Sequence, residues 1–217
     1  MDIQNAVDRL NALLPLKARQ DQLSATLKKL HHKILFSLVE RGRPPTKGEM
    51  IDVLGNENVT ESLLQLSLND LVVLDAEGKQ LSGAYPVTTE ATPHKIKVND
   101  HAIYAMCALD AVSVAPVFDT DVVIDSVCHV SQTPISIYMQ GQKIIEVQPS
   151  TDIMIGIRWQ KPSAVAAHSL CMEMVFLNDS KTAEEWQQSD ADSISIFTLP
   201  AAVDFGKAFF LPLVSGI

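Results

Sequence analysis

Apolar residues recur every three or four positions through the first part of the chain, to about residue 87. Leu23, Leu27, Leu30, Ile34 and Leu38 follow this spacing. Residues three and four apart share one face of an α-helix, so the spacing predicts a helix that buries one face against a core. The Gly-Arg-Pro-Pro segment that follows ends this helix, because proline cannot continue it.

Signals for two more helices and a hairpin come next. Thr46 and Glu49 predict a capping box that opens the second helix, and a third helix begins near Thr60. The turn residues at 76–79 separate two apolar runs, which predicts a hairpin. Three helices followed by a hairpin are typical of a winged helix, and we expect a winged-helix-like module over residues 1–90.

The charge of this module does not fit DNA binding. The third helix of a winged helix usually enters the major groove, where basic side chains contact phosphates. Residues 58–75 contain no Lys or Arg but do contain Glu61, Asp70 and Asp75, and the formal net charge of the whole chain is −9. Such a surface repels nucleic acids and anionic membranes, so we expect neither as a partner. A packing or dimerisation module is favoured, in a monomer or a homodimer.

The chain after residue 90 has a different pattern. We expect residues 88–99 to form a linker or an edge strand, and Asp100 to cap a helix over residues 101–115. The connections between the later apolar runs are short, which predicts an antiparallel sheet. The predicted fold class is therefore α+β, with the helical module followed by a domain at residues 91–217 that has a mainly antiparallel sheet and flanking helices. The predicted strands are residues 121–128, 135–139, 143–147, 152–159, 168–177 and 193–199.

The three cysteines are Cys107, Cys128 and Cys171. An odd and sparse set is not a disulfide framework, and 217 residues can bury a core without one. The first residues contain no basic segment followed by an apolar one, as a secretory signal would. We therefore expect reduced thiols and a cytoplasmic location.

Cys107 and Asp110 are three residues apart on a predicted helix, so both side chains project from one face. This places a soft nucleophile beside a group that can carry a proton. An isolated Cys-x-x-Asp is usually structural, since a buried cysteine packs like a small apolar residue. The spacing alone is a weak signal.

The residues around this pair give a more specific signal. The block Tyr-Ala-Met-Cys-Ala-Leu-Asp at residues 104–110, together with Cys128 and Cys171, resembles the organomercurial (alkylmercury) lyase family. Members of that family carry a Tyr-Ala-x-Cys-Ala-Leu-Asp block, a second cysteine in the following strand and a third in a late strand. The resemblance extends from about residue 100 to the C-terminal end and includes Ala-Glu-Glu-Trp at residues 183–186.

The resemblance implies an enzyme that cleaves the carbon–mercury bond of alkyl and aryl mercurials by protonolysis, in mercury detoxification. It implies that Cys107, Asp110 and Cys171 are the catalytic residues and hold the mercury, and that Cys128 is structural. Mercury is a soft metal that prefers thiolates, and the carboxyl supplies the proton. We expect no permanently bound cofactor. External low-molecular-weight thiols are needed for turnover, and a mercuric reductase is an implied acceptor of the Hg(II) product.

The sequence departs from the family pattern at three positions. Met106 stands where tryptophan is expected, Ala111 where threonine is common, and Met172 where relatives often have another cysteine. These departures bear on substrate range and rate. None of them removes an atom that the chemistry requires.

Three alternatives remain. Cys128, His129, His168 and Cys171 are an allowed zinc set, but neighbouring strand residues, and those three apart, face opposite sides. A non-catalytic thiol-based metal sensor on the same scaffold would need only the thiols, whereas protonolysis also needs Asp110. A transcription factor would use the winged helix and bind duplex DNA. We expect the remaining histidines at the surface or at caps: His31, His32, His94 and His101.

Overall fold

Helices fill the first part of the chain in the computed structural model, which describes residues 1–163 and 165–215. Ser24 caps the longest of them, and Gly42 ends it in the left-handed region. The capping box of Thr46 and Glu49 is present, and Gly55 ends the helix that it opens. These helices are α1 (Ile3–Leu13), α2 (Leu16–Asp21), α3 (Ala25–Arg41), α4 (Lys47–Leu54) and α5 (Val59–Leu68).

A large antiparallel sheet follows, with eight of the described strands in the order β1-β2-β3-β5-β4-β6-β7-β8. The hairpin after α5 is part of this sheet, because Val87 of β3 pairs with Ala105 of β5. Strands from before and after residue 90 therefore belong to one continuous sheet. A domain boundary at residue 90 stays a prediction. Its strands are β1 (Val73–Leu74), β2 (Leu81–Ala84), β3 (Val87–Thr88), β4 (His94–Val98), β5 (His101–Ala105), β6 (Asp121–Val127), β7 (Pro134–Gln140) and β8 (Lys143–Gln148).

A smaller antiparallel sheet has β9 at its centre, with β10 and β11 on either side. Helix α6 (Ala108–Phe118) contacts both sheets and packs along α8 (Leu199–Val214). Every residue of α6 from its first to Val117 is buried. The remaining elements are β9 (Met154–Arg158), β10 (Met174–Leu177), α7 (Ser180–Gln188) and β11 (Ile194–Thr198). Among the described residues, no helix is both long and apolar enough to cross a membrane.

The mixture of helices with antiparallel sheet agrees with the predicted α+β class, but the helix predicted over residues 101–115 is wrong in its first half. Asn99 and Asp100 both have positive φ and form a two-residue hairpin turn, so Asp100 does not cap a helix. The chain continues as β5, and the helix begins only at Ala108. Pro116 lies in the last turn of α6, where it removes only one backbone hydrogen bond.

Two strand predictions also need correction. Residues 88–99 are neither a linker nor an edge strand, because β4 lies between β5 and β6. The predicted strand over residues 168–177 is mostly a pair of short 3-10 segments, Ala166–His168 and Leu170–Glu173, and only the last four residues form a strand. Cys171 therefore lies on a 3-10 segment.

The contact between α6 and α8 is closest at Gly206. A Cβ atom there would lie 2.0 Å from the Ser113 side-chain oxygen and 3.4 Å from the Leu109 carbonyl oxygen. The Ser113 hydroxyl donates to that carbonyl at 2.6 Å, so it has no room to move aside without losing its acceptor. Glycine at this position lets α8 approach the helix that carries Cys107 and Asp110.

We predict that Gly206→Ala lowers the free energy of unfolding by about 1–3 kcal/mol, because overpacking forces buried groups apart. Gly48→Ala is the matched control within a helix, since the nearest atom to its added Cβ would be 3.9 Å away. That variant should be neutral or more stable by about 0.4–1 kcal/mol. Chemical denaturation of both variants measures the difference, and equal stabilities would contradict the close contact.

Candidate active site

Cys107 lies at the point where β5 ends and α6 begins. Its backbone is extended, and its sulfur accepts the N–H of Asp110 at 3.3 Å, so the thiol caps the helix. Capping by cysteine is unusual, because oxygen side chains normally fill this position. A helix N-terminus carries a partial positive charge, which favours a thiolate there once the proton leaves.

Cys107, Asp110 and Cys171 converge in the interior. The first two come from the start of α6, and Cys171 comes from the 3-10 segment before β10. Their sulfur and carboxylate atoms all lie within 4.8 Å of one another. The three residues are 1%, 1% and 4% exposed, so bulk water does not surround them. The structure thus brings together all three residues that the sequence proposed as a catalytic set.

Burial controls the protonation of this cluster. It raises the pKa of Asp110 from 3.8 to about 7, although hydrogen bonds from the Cys107 side chain and backbone oppose the shift. Burial also raises the pKa of the Cys107 thiol well above its usual range, with a smaller contribution from the negative charge of Asp110. The hydrogen bond with Cys107 lowers the pKa of Cys171, but burial and Asp110 outweigh it and the net shift is upward.

One oxygen of Asp110 has no partner. Its Oδ2 is buried and makes no hydrogen bond within the described part of the chain. An ionised carboxylate oxygen that is buried without a hydrogen-bond partner costs free energy. A protonated carboxyl at the same place is uncharged and can donate a hydrogen bond. The apo cluster is therefore set up as two thiols and a carboxyl that is largely neutral below pH 7.

A cavity of about 390 Å³ leads to this cluster on the Cys171 side. Its walls include Met106, Met174 and Phe176, and Met172, which is 63% exposed, lies at its rim. Cys107 and Asp110 do not line the cavity itself. An apolar ligand that enters here would meet the Cys171 sulfur first.

Comparison with known proteins agrees with this geometry. The model of the alkylmercury lyase family matches residues 87–211, which is more than half of the chain and includes the three clustered residues. The chain belongs to the alkylmercury lyase family. The resemblance found in the residues is thereby confirmed.

Relatives are similar at modest identity. The chain is 26% identical to an alkylmercury lyase of Bacillus cereus over 187 residues, covering 85% of this chain and 81% of that protein. It is 25% identical to one from Staphylococcus epidermidis over 136 residues, and that match spans 63% of this chain but only 61% of the staphylococcal protein. The crystal structure of the mercury-bound form of MerB2 shares the fold, with a TM-score of 0.76 at 20% identity, over 92% of this chain and 98% of that one.

Cys128 lies apart from the cluster. It follows β6, and its sulfur accepts the backbone N–H groups of Ser131 at 3.5 Å and Asn178 at 3.4 Å. Burial raises the pKa of this thiol. The hydrogen bonds from Ser131, Val130 and Asn178 lower the pKa by more than burial raises it, so the net shift is downward. These bonds tie the end of β6 to the end of β10. A structural role for Cys128 stays a prediction, which this position supports.

The zinc alternative does not fit the geometry. Among the residues that the structure describes, the group of potential ligands that converges is Cys107, Asp110 and Cys171. His129 and His168 line the cavity but do not join Cys128 in such a group. The reason differs from the one that the strand pattern suggested, because Cys171 lies on a 3-10 segment and not on a strand.

The three departures from the family pattern lie in and around the site. Met106 lines the cavity, and its terminal methyl would lie 2.8 Å from a Cβ at Gly83, so the glycine makes room for it. Ala111 is fully buried in α6, one residue after Asp110. Met172 follows Cys171 at the rim of the cavity. Thus two of the three departures change the cavity wall directly.

The sequence did not reveal that Asp70 and Tyr85 hold the segment before Cys171. The Tyr85 hydroxyl donates to Asp70 Oδ1 at 3.2 Å and accepts the N–H of Ala167 at 2.8 Å. Asp70 Oδ2 accepts the N–H of Ala166 at 3.4 Å and lies 3.7 Å from Arg19. Burial, and then the charges of Cys171, Asp70 and Asp110, raise the pKa of Tyr85 well above 10, so it keeps its proton.

Of the histidines that we expected at the surface or at caps, His31 is buried and His94 is only partly exposed. His31 is 1% exposed, with its ring between Gln20 and the Leu71 carbonyl. His94 lines the cavity and shares a hydrogen bond of 2.8 Å with Ser126. Burial lowers the pKa of His94 to about 4, so a neutral imidazole faces the cavity near pH 7.

The raised pKa of Asp110 predicts a pH-dependent stability. Below about pH 4 the carboxyl is protonated in both folded and unfolded chains. Between about pH 4 and the folded pKa of about 7, the unfolded carboxyl loses its proton and the folded one keeps it, so stability falls as pH rises. The wild-type free energy of unfolding minus that of Asp110→Asn should fall by up to about 4 kcal/mol over this range. Denaturation curves from pH 4 to pH 8 measure it, and a constant difference would refute the shift.

We predict that Tyr85→Phe destabilises the protein by about 1–3 kcal/mol, because the N–H of Ala167 and an oxygen of Asp70 lose a buried partner. The control is Tyr138→Phe, whose hydroxyl bonds only with exposed groups and whose loss should change stability by less than about 0.5 kcal/mol. Thermal or chemical unfolding compares the two. Equal effects would show that the buried hydroxyl does not hold the segment.

Proposed function

We propose that this protein cleaves the carbon–mercury bond of alkyl and aryl mercurials by protonolysis, as part of mercury detoxification. Family membership supports the activity, and the convergence of two thiols and a protonated carboxyl within 4.8 Å is the observation that carries it. Cys107 and Cys171 bind the mercury, and Asp110 transfers the proton. The substrate is a small organomercurial, and the products are a hydrocarbon and Hg(II).

The reaction balances on these groups alone. An R–Hg⁺ cation displaces the proton of each thiol as the two mercury–sulfur bonds form. One of these protons passes through Asp110 to the carbon atom, which leaves as R–H when the carbon–mercury bond breaks. The other proton goes to solvent, and Hg(II) remains bound to two thiolates. Two soft thiolates increase the electron density on the carbon and make it a better proton acceptor.

Asp110 suits both halves of the proton transfer. A carboxyl with a pKa of about 7 can take a proton from a thiol and return it to carbon near neutral pH. Its hydrogen bonds with Cys107 place it beside the first thiol, and its free Oδ2 is the atom that can face the substrate. Burial keeps competing water away from the carbon during the transfer.

Turnover requires that the product leave. Two thiolates hold Hg(II) tightly, so external low-molecular-weight thiols are the proposed acceptors, followed by a mercuric reductase. We propose a cytoplasmic location, where such thiols are abundant and cysteines stay reduced. No permanently bound cofactor is needed for the steps above.

The N-terminal helices and the β1–β2 hairpin are proposed to form a winged-helix-like module that does not bind DNA. Its α5 helix has acidic Glu61 in the first turn and no basic residue in the last turn. Asp70, between α5 and β1, and Tyr85, directly after β2, hold the backbone before Cys171. The module would thus support the active site and would not bind duplex DNA. We propose that the protein is a monomer or a homodimer.

The decisive experiment is to incubate the protein with phenylmercury or methylmercury and excess thiol, and to measure benzene or methane. We expect one molecule of hydrocarbon for each molecule of mercurial consumed, and we expect each protein molecule to turn over many times. Binding of the mercurial without hydrocarbon would leave only the sensor or sequestering protein. That alternative needs the thiols but gives no reason to bury a carboxyl of raised pKa beside them.

Single substitutions test the roles. Cys107→Ser, Cys171→Ser and Asp110→Ala should each abolish hydrocarbon release, because each removes a ligand or the proton carrier. Cys128→Ser is the matched control, since it changes a buried cysteine outside the cluster and should mainly lower stability. Gas chromatography of the headspace, with unfolding curves for all four variants, separates the effects. Full activity of Cys171→Ser would contradict the two-thiolate mechanism.

A further inference from the structure

A third sulfur-containing side chain touches the cluster. The Sδ atom of Met174 lies 3.7 Å from the Sγ atom of Cys107. Met174 is the first residue of β10 and is 3% exposed, so the strand fixes its backbone beside the start of α6. The contact joins a thioether directly to one of the two proposed mercury ligands.

The chemistry of a thioether suits this position. It is a soft donor with no proton to lose, so it can bind a soft metal at any pH. In the structure the two sulfur atoms are within hydrogen-bonding distance of each other. A metal bound to the Cys107 sulfur would therefore lie close to the Met174 thioether.

The distribution of methionines favours a metal-related role over simple core filling. Methionine commonly fills irregular gaps in cores. Here, however, three of the seven methionines of the chain, Met106, Met172 and Met174, line the same cavity as Cys171. Met172 is 63% exposed and fills no core gap. Soft donors therefore extend from the rim of the cavity to the buried thiols.

We infer that Met174 is a third sulfur ligand of the mercury ion that Cys107 and Cys171 hold after cleavage. The inference rests on the proposed function only for the identity of the metal. The thioether bond adds a weak third ligand to a neutral bis-thiolate Hg(II). It stabilises the product without the charge of a third thiolate, so an external thiol can still displace it.

The test uses the full chain labelled with selenomethionine and loaded with one equivalent of Hg(II). X-ray absorption at the mercury L3 edge distinguishes selenium from sulfur neighbours. We expect two sulfur atoms and one selenium atom around mercury in the wild-type chain. The Met174→Leu variant should lose the selenium and keep both sulfur atoms, and it should fold, because this swap conserves volume.

Met139→Leu is the matched control, since Met139 is fully buried in β7 and does not line the cavity. It should keep the selenium neighbour. The absence of selenium near mercury in the wild-type chain would overturn the inference, as would its persistence in Met174→Leu. The measurement needs bound Hg(II) and no cleavage. Failure of hydrocarbon release would therefore refute the proposed function without contradicting the inference that Met174 binds Hg(II).

Discussion

The burial of the N-terminus of α6 determines the chemistry of this protein. A buried helix start needs acceptors for its free N–H groups, and the Cys107 sulfur takes that of Asp110. The same burial holds the proton on Asp110 and on both thiols. Below pH 7 the cluster is therefore largely uncharged. Gly206 makes this arrangement possible, because it lets α8 close over α6 from the other side.

The N-terminal part of the chain is bound to the site by hydrogen bonds as well as by the shared sheet. Asp70 and Tyr85 together accept two successive backbone N–H groups, those of Ala166 and Ala167, shortly before Cys171. Those groups would otherwise be buried without partners, at a cost of about 1–3 kcal/mol each. The N-terminal part of the chain therefore has a structural role beside the cluster, whichever fold family its helices belong to.

Local signals predicted the features that depend on neighbouring residues. The capping box of Thr46 and Glu49 is one example, and the block at residues 104–110 pointed to Cys107 and Asp110 through family resemblance alone. The start of α6 was missed because β5 is defined by pairing with β3 and β4, which the local pattern does not contain. The bond from Ala167 to Tyr85 spans 82 positions, so no spacing rule could find it.

The two thiols differ in how firmly their backbones are held. Cys107 begins a helix that is buried on all sides, whereas Cys171 lies on a short 3-10 segment, a conformation with weaker hydrogen bonds. Of the two residues proposed to bind mercury, Cys107 therefore has the more regularly hydrogen-bonded backbone. Under the proposed mechanism, a bulkier organic group would displace the Cys171 segment before it displaced the start of α6. Substrate range under that proposal would depend on how differently the two cysteine backbones are held.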